Sequence, residues 1–188
     1  MLFWKGKVIN MNPIRLKNGK YLIIRRPNPD DAPALIAYLS QLGSESGNLT
    51  FGSEGIPFTV EQERDYITKS NLLKTSVMYI GLVDDKIVAS TNLSAPDRER
   101  IKHTSSFGIS VLKAYWHIGI ATALIEQIIA FAKETEVVKI IHLAVRVDNI
   151  HAIHLYESHG FKCIGIYPKQ LFVDGQYYDT ILMNLELF

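Results

Sequence analysis

A chain of 188 residues that is 47% hydrophobic and 10% aromatic has the length and apolar content for one α/β domain with a substantial core, and too little length for two. Its 20 basic and 19 acidic residues leave a formal charge of +1 with no block of one sign, which argues against nucleic acid as a partner. The one cysteine, Cys163, excludes an internal disulfide and a cysteine-rich metal site, and the lack of a signal-like start or a span of ~20 apolar residues leads us to expect a soluble, cytoplasmic protein that does not engage a membrane.

We expect a single domain over residues 1–188, with residues 1–19 as an N-terminal extension that forms a strand or hairpin. Residues 14–17 and 20–25 flank Asn18-Gly19, the favoured pair for a two-residue hairpin with positive φ at both central positions. The run 27–31 breaks that strand, and Asp30 or Asp31 caps a helix that carries Leu35, Leu39 and Leu42 on one side and ends at Gly43. A loop without helical or strand period fills residues 44–57 and contains Glu45 and Glu54. Thr59-x-x-Gln62 then has the form of a capping box, so a helix starts there and runs to about Asn71. Residues 77–83 and 86–93 read as a hairpin about Asp84-Asp85, and a charged loop, 96–102, separates it from a strand over 103–111.

That strand leads into Trp116-His117-Ile118-Gly119-Ile120-Ala121 and a long amphipathic helix. At 100° per residue Ala121, Leu124, Ile125, Ile128, Ile129, Phe131 and Ala132 project into an arc of roughly 160°, so one face packs onto a sheet. Gly119 and Ala121 keep bulk away from the first turn, where amides lack helical partners; with the positive end of the helix dipole they form a seat for a phosphate or pyrophosphate. Neither GxGxxG after an early strand nor GxxxxGK[ST] is present. Further on, residues 139–145 read as a strand covered on both faces. Asp148 or Asn149 and Gly160 bracket a second helix, on which Ala152 and Tyr156, four residues apart, share a face. Residues 161–166 and 178–187 close the chain as strands about an Asp174-Gly175 turn. The order of elements predicts a mixed sheet with helices on both faces. His151, His154 and His159 stand close on the second helix, yet isoleucines interleave them and no ligand set completes a metal site, so no metal is expected. Cys163 reads as a small apolar residue on a strand.

The loop around Gly119 resembles the acyl-coenzyme A loop of the GNAT N-acetyltransferase superfamily, [Q/R]-x-x-G-x-[G/A], with Trp116 in place of the polar first residue. The run from Asn149 to Phe161 matches that superfamily's N-x-x-A-x-x-x-Y-x-x-x-G-F at every specified position. The resemblance implies a GNAT-type mixed, largely antiparallel seven-stranded sheet with splayed central strands and about four helices on both faces. It also implies an acetyl-CoA-dependent N-acetyltransferase that transfers acetyl directly to a primary amine of a small molecule or protein N-terminus. Ile109, Val111, Trp116, His117, Ile118, Gly119, Ile120, Ala121, Thr122, Asn149, Ala152 and Tyr156 would then hold the coenzyme. Asn149 would meet the pantetheine arm, and Tyr156 would be the general acid for the departing thiolate.

The superfamily's frequent glutamate two residues before the glycine of this strand is Ser106 here. Glu54 therefore becomes the candidate base, since a serine is no base at neutral pH. Tyr177, Tyr178 and Asp179 look like the D-G-x-Y-x-D pattern of ribosomal-protein and phosphinothricin-type acetyltransferases, so Tyr178 and Asp179 join Glu54 and Ser106 at the acceptor pocket. The rival reading, kept alive by Ser106, is an acyl-CoA-binding sensor or scaffold of the same fold; self-association into a homodimer stays open under either.

Overall fold

The computed structural model describes residues 3–4, 7–8 and 12–188. Of the expected N-terminal hairpin it gives β1 (Phe3–Trp4) paired antiparallel with β2 (Lys7–Val8); the rest of residues 1–11 lies outside the described residues. The main sheet has eight strands, one more than the resemblance implies, because β3 (Ile14–Arg15) adds an edge to β4 (Tyr21–Arg25). Its order is β3-β4-β5-β6-β7-β8-β10-β9, antiparallel at every step except β7 with β8.

The β3–β4 turn differs from expectation. Asn18 keeps a negative φ, Gly19 alone is left-handed at +83°, and its N–H donates to the carbonyl of Leu16 (3.0 Å) while the Leu16 N–H donates to Lys20 (2.8 Å). These are the bonds of a longer loop closed by one left-handed glycine, in place of two. The two-residue form does occur between β5 (Val77–Val83) and β6 (Lys86–Ser94), where Asp84 and Asp85 have φ of +50° and +60°. It recurs at Asp174-Gly175 between β9 (Lys162–Val173) and β10 (Gln176–Glu186), both longer than the sequence signals imply.

Helix α1 covers Ala32–Glu45 and passes through Gly43. A Cβ on Gly43 would lie 1.8 Å from the carbonyl oxygen of Gly52, so the glycine is there to let the following loop press onto the helix, and it does not end it. Asp31 leaves the helix end uncapped by its side chain; its carboxylate instead pairs with Arg25 (2.6 and 2.8 Å) and accepts from the Asn28 N–H (2.6 Å). Helix α2 (Val60–Ser70) starts at the expected capping box, with Thr59 and Gln62 bonded to each other's backbone N–H.

Strand β5 is buried on both sides. Met78, Ile80 and Leu82 face a core with Leu35, Tyr38 and Leu42 of α1 and Ile67 of α2. On the opposite face Val77 and Val83 join the residues beneath α3 (Ile120–Glu134). The predicted apolar arc of α3 is the buried one: Leu124, Ile125, Ile128, Phe131 and Ala132 are all 9% exposed or less. Strand β8 (Ile140–Arg146) departs from expectation, since Ile141, Leu143 and Val145 are buried while His142 and Ala144 are exposed. Its second face is bare because α1 and α2 pack over β5 and leave β8 uncovered beside them. Among the described residues no helix is long and apolar enough to cross a membrane.

Candidate active site

β7 (Thr104–Val111) and β8 run parallel and pair only where Thr104, Ser105 and Ser106 meet Ile140, Ile141 and His142. Past that point β7 stays bonded to β6 as far as Val111, and β8 stays bonded to β10 as far as Arg146. The strands therefore part. From Phe107 on one side and Leu143 on the other, their inner edges have no strand to pair with, and an extended chain entering the gap would meet the donors and acceptors of a vacant strand position. The gap belongs to a cavity of about 1250 Å³ whose walls here include Ile109, Val111, Ala144 and Val145.

Backbone shape dominates the next wall. The Trp116 indole N–H donates to the carbonyl of Val111 (2.7 Å), so the residue that departs from the motif still ties the loop to the end of β7. His117 and Gly119 are left-handed, with φ of +62° and +100°. At Gly119 such a φ favours glycine, and among the described residues nothing beyond the adjoining backbone lies within 4 Å of the point a Cβ would occupy. The first helical bond of α3 is that of the Ala123 N–H to Gly119 (3.1 Å), so the amides of Ile120, Ala121 and Thr122, all in the cavity wall, have no helical acceptor. Ile118 is the one residue of this loop that does not line the cavity: its side chain joins the core under α3, and its carbonyl accepts from the Lys17 N–H (3.2 Å).

Helix α4 (Ile150–Ser158) supplies the third wall. Asn149 caps it, its side-chain oxygen accepting from the Ala152 N–H (3.3 Å), and both residues line the cavity. Tyr156 also lines it, 9% exposed, with Phe107 edge-on at 6.2 Å. Burial pushes its phenol up to about 12, so it is protonated at neutral pH and available as a donor. The His117 and His151 rings touch at 5.0 Å, and among the described residues no three His, Cys, Asp or Glu side chains group as metal ligands.

The opposite wall is built from side chains far apart in sequence. Leu35, Leu39 and Leu42 of α1, Leu49 and Phe51 of the loop, and Met78 of β5 make it apolar. It is held by polar ties: the Tyr38 hydroxyl bonds Ser110 (2.8 Å to Oγ), and Glu45 accepts from the Lys113 N–H (2.8 Å). Arg146 donates to the carbonyl of Gly47 (2.8 Å) while its guanidinium lies 3.6 Å over the ring of Tyr178.

The residues expected at the acceptor end fare unevenly. Glu54 is outside the cavity wall; its carboxylate accepts from the Gly52 N–H (2.7 Å), which lowers its pKa and makes it a poorer base. Ser106 is exposed on β7, before the strands part. Tyr178 reaches the site only through Arg146, and Asp179 accepts from the Lys169 N–H (2.8 Å) on β9. Cys163 is on a strand, as expected, but exposed. Glu63, not among the residues expected of the site, lines the cavity at 2% exposure. Its signal was present: it stands three residues after Val60 and four before Ile67, inside the apolar stripe of α2.

The model of the acetyltransferase (GNAT) family matches residues 48–161, more than half of the chain. Over 104 residues the chain is 31% identical to the L-amino acid N-acetyltransferase AaaT of Escherichia coli, a match covering 55% of this chain and 64% of that protein. It is 35% identical over 87 residues to an N-alpha-acetyltransferase of Sulfurisphaera tokodaii, covering 46% of this chain and 50% of that one. The chain thus spans between half and two thirds of the length of these curated relatives. The crystal structure of a GNAT-family acetyltransferase from Streptococcus pneumoniae superposes with a TM-score of 0.86 at 27% identity, covering 89% of this chain and 99% of that one.

Proposed function

The chain belongs to the GNAT acetyltransferase family, and from that premise we propose that it is an acetyl-CoA-dependent N-acetyltransferase, passing acetyl directly to a primary amine of a small molecule or a protein N-terminus. The observation that carries this reading is the meeting of three features in one cavity: the parted edges of β7 and β8, the open turn at Gly119, and the hydroxyl-bearing Tyr156. The cavity wall offers groups suited to that donor. The amides of Ile120, Ala121 and Thr122 would receive its pyrophosphate, the vacant strand position its amide-bearing arm, and Asn149 and Ala152 the same arm from α4.

In the transfer the amine nitrogen attacks the thioester carbonyl, whose oxygen becomes an oxyanion within reach of backbone N–H groups of β7. The C–S bond then breaks, and the Tyr156 hydroxyl donates to the departing sulfur. A phenol raised to about 12 is a weaker acid than a thiol near ~8.5. Tyr156 therefore acts chiefly by hydrogen bonding to the developing thiolate and keeps its proton afterwards. The direct route needs no enzyme nucleophile, in keeping with Cys163 standing exposed on β9.

The test is release of free coenzyme A from acetyl-CoA in the presence of L-amino acids, short peptides with free N-termini and simple alkylamines. Turnover with at least one class supports the reading. Tight coenzyme binding without turnover on any amine would make the protein a sensor of acyl-CoA instead.

A further inference from the structure

Within the cavity wall one buried carboxylate has, among the described residues, no counterpart. Glu63, one turn into α2, is 2% exposed, its Oε2 is buried without a hydrogen-bond partner, and among the described residues no Lys, Arg or His pairs with it. The ion pairs where α1 and α2 meet, Arg25 with Asp31 and Arg64 with Asp30, are closed on themselves. Tyr66, one turn on, is the titratable group beside it. An isosteric amide or an apolar side chain would fill the same place without the desolvation that an unpaired carboxylate suffers. Such a group is retained where a ligand brings the missing charge.

The surroundings say what that ligand is. The cavity that Glu63 lines is walled also by Phe58, Tyr66, Met78 and the leucines of α1, with Tyr66 beside Glu63 itself. Asn92 lines the same cavity; its side-chain oxygen would sit 2.7 Å from a Cβ on Gly108, so the glycine lets that amide lie across β7 just where the central strands part. We propose that Glu63 binds the ammonium of the acceptor and takes its proton, and that the acceptor is a primary amine carried on an apolar group. This rests on the acetyltransferase reading above.

The proton balance is simple. The acceptor enters as R–NH₃⁺, one N–H proton passes to the Glu63 carboxylate, and the freed lone pair forms the C–N bond of the oxyanion adduct, whose C–S bond then breaks. The nitrogen of the adduct gives up the second of its three protons as the thiolate gains one, the third stays in the product amide, and Glu63 returns its proton to water. Burial favours the transfer from both sides: it raises the Glu63 carboxyl and lowers an ammonium held in the same apolar space, bringing the two acidities together.

Glu63→Gln and Glu63→Asp, compared with the parent, test this through acetyl-CoA affinity by calorimetry and kcat/KM for an apolar alkylamine and for an alkoxyamine, which is already neutral at neutral pH. Glu63→Gln should bind acetyl-CoA as the parent does and lose ~100-fold in kcat/KM with the alkylamine. The loss should shrink below ~10-fold with the alkoxyamine, and Glu63→Asp should recover part of it. Equal activity of Glu63→Gln and parent, or an equal loss with both amines, overturns the role of Glu63 and leaves the transfer reading standing. A parent that binds acetyl-CoA and turns over no amine overturns both.

Discussion

The two sides of the cavity are made by different means. On the side we propose for the coenzyme, the inner edges of β7 and β8 and the first turn of α3 offer backbone groups, shaped by Gly119 and completed by Asn149 and Tyr156. On the side we propose for the acceptor, α1, the loop after it, α2 and β5 offer side chains held by long-range ties such as Glu45 to Lys113 and Arg146 to Gly47. Backbone recognition constrains few residues and needs them close in sequence. Side-chain recognition spreads over the chain and leaves each position free to change with the acceptor. One common donor and many acceptors is the chemistry that such a division suits.

The comparison is sharpened by substitutions that should disturb one side alone. The largest effect is expected of Tyr156→Phe, which keeps the ring against Phe107 and removes the donor to sulfur: kcat should fall ~100-fold or more with acetyl-CoA affinity unchanged in calorimetry. Gly119→Val puts a β-branched residue at a φ of +100° and a side chain into the open seat. Coenzyme affinity should weaken ~100-fold, from strain of about 1–3 kcal/mol plus lost phosphate contacts.

Arg146→Ala acts from the other side, freeing the loop at Gly47 and uncovering Tyr178. KM for the amine should rise about tenfold, as expected for one charged hydrogen bond, while coenzyme affinity holds. A comparable loss of coenzyme affinity in Arg146→Ala would break the division. The smallest effect is expected of Glu54→Ala, whose carboxylate is spent on the Gly52 amide: kcat/KM should stay within about twofold of the parent.

Stability should show the same asymmetry through Glu63. Its carboxyl is raised by burial, so the folded state binds its proton more tightly than the unfolded state does, and native stability is lost as pH rises through the carboxylate range. Glu63→Gln should therefore melt above the parent at neutral pH, by roughly 2–4 °C per ~1 kcal/mol relieved. That gain should vanish on acidification below the unfolded carboxylate pKa of ~4.3. A gain that persists at low pH would mean that packing, and not charge, sets the difference.

Legibility in the sequence follows the same line. Thr59 with Gln62, Asn149 at the start of α4, the Asp84-Asp85 turn and the apolar arc of α3 were all readable, because each is fixed by neighbours within a few residues. Gly43 was not, since its reason is the Gly52 carbonyl pressing on the helix from the loop. Strand β8 reads as doubly covered because Ile, Leu and Val cannot tell a helix from an open cavity. Its bare face, at Ala144, is a cavity wall. Glu54 stood out as an acid within a Gly- and Ser-rich loop, whereas Glu63 hid among the polar residues of α2, where only its place in the stripe of Val60 and Ile67 marks it.

Amide hydrogen exchange with and without acetyl-CoA tests the central claim most directly, because the proposed coenzyme seat is made of backbone N–H groups that, among the described residues, have no strand or helical acceptor. Added acetyl-CoA should slow exchange at the first turn of α3, Ile120 to Thr122, and along the inner edges of β7 beyond Ser106 and β8 beyond His142, with little change in β9 and β10 away from Arg146. Binding that leaves those amides exchanging as before, or that protects the sheet elsewhere, would contradict it.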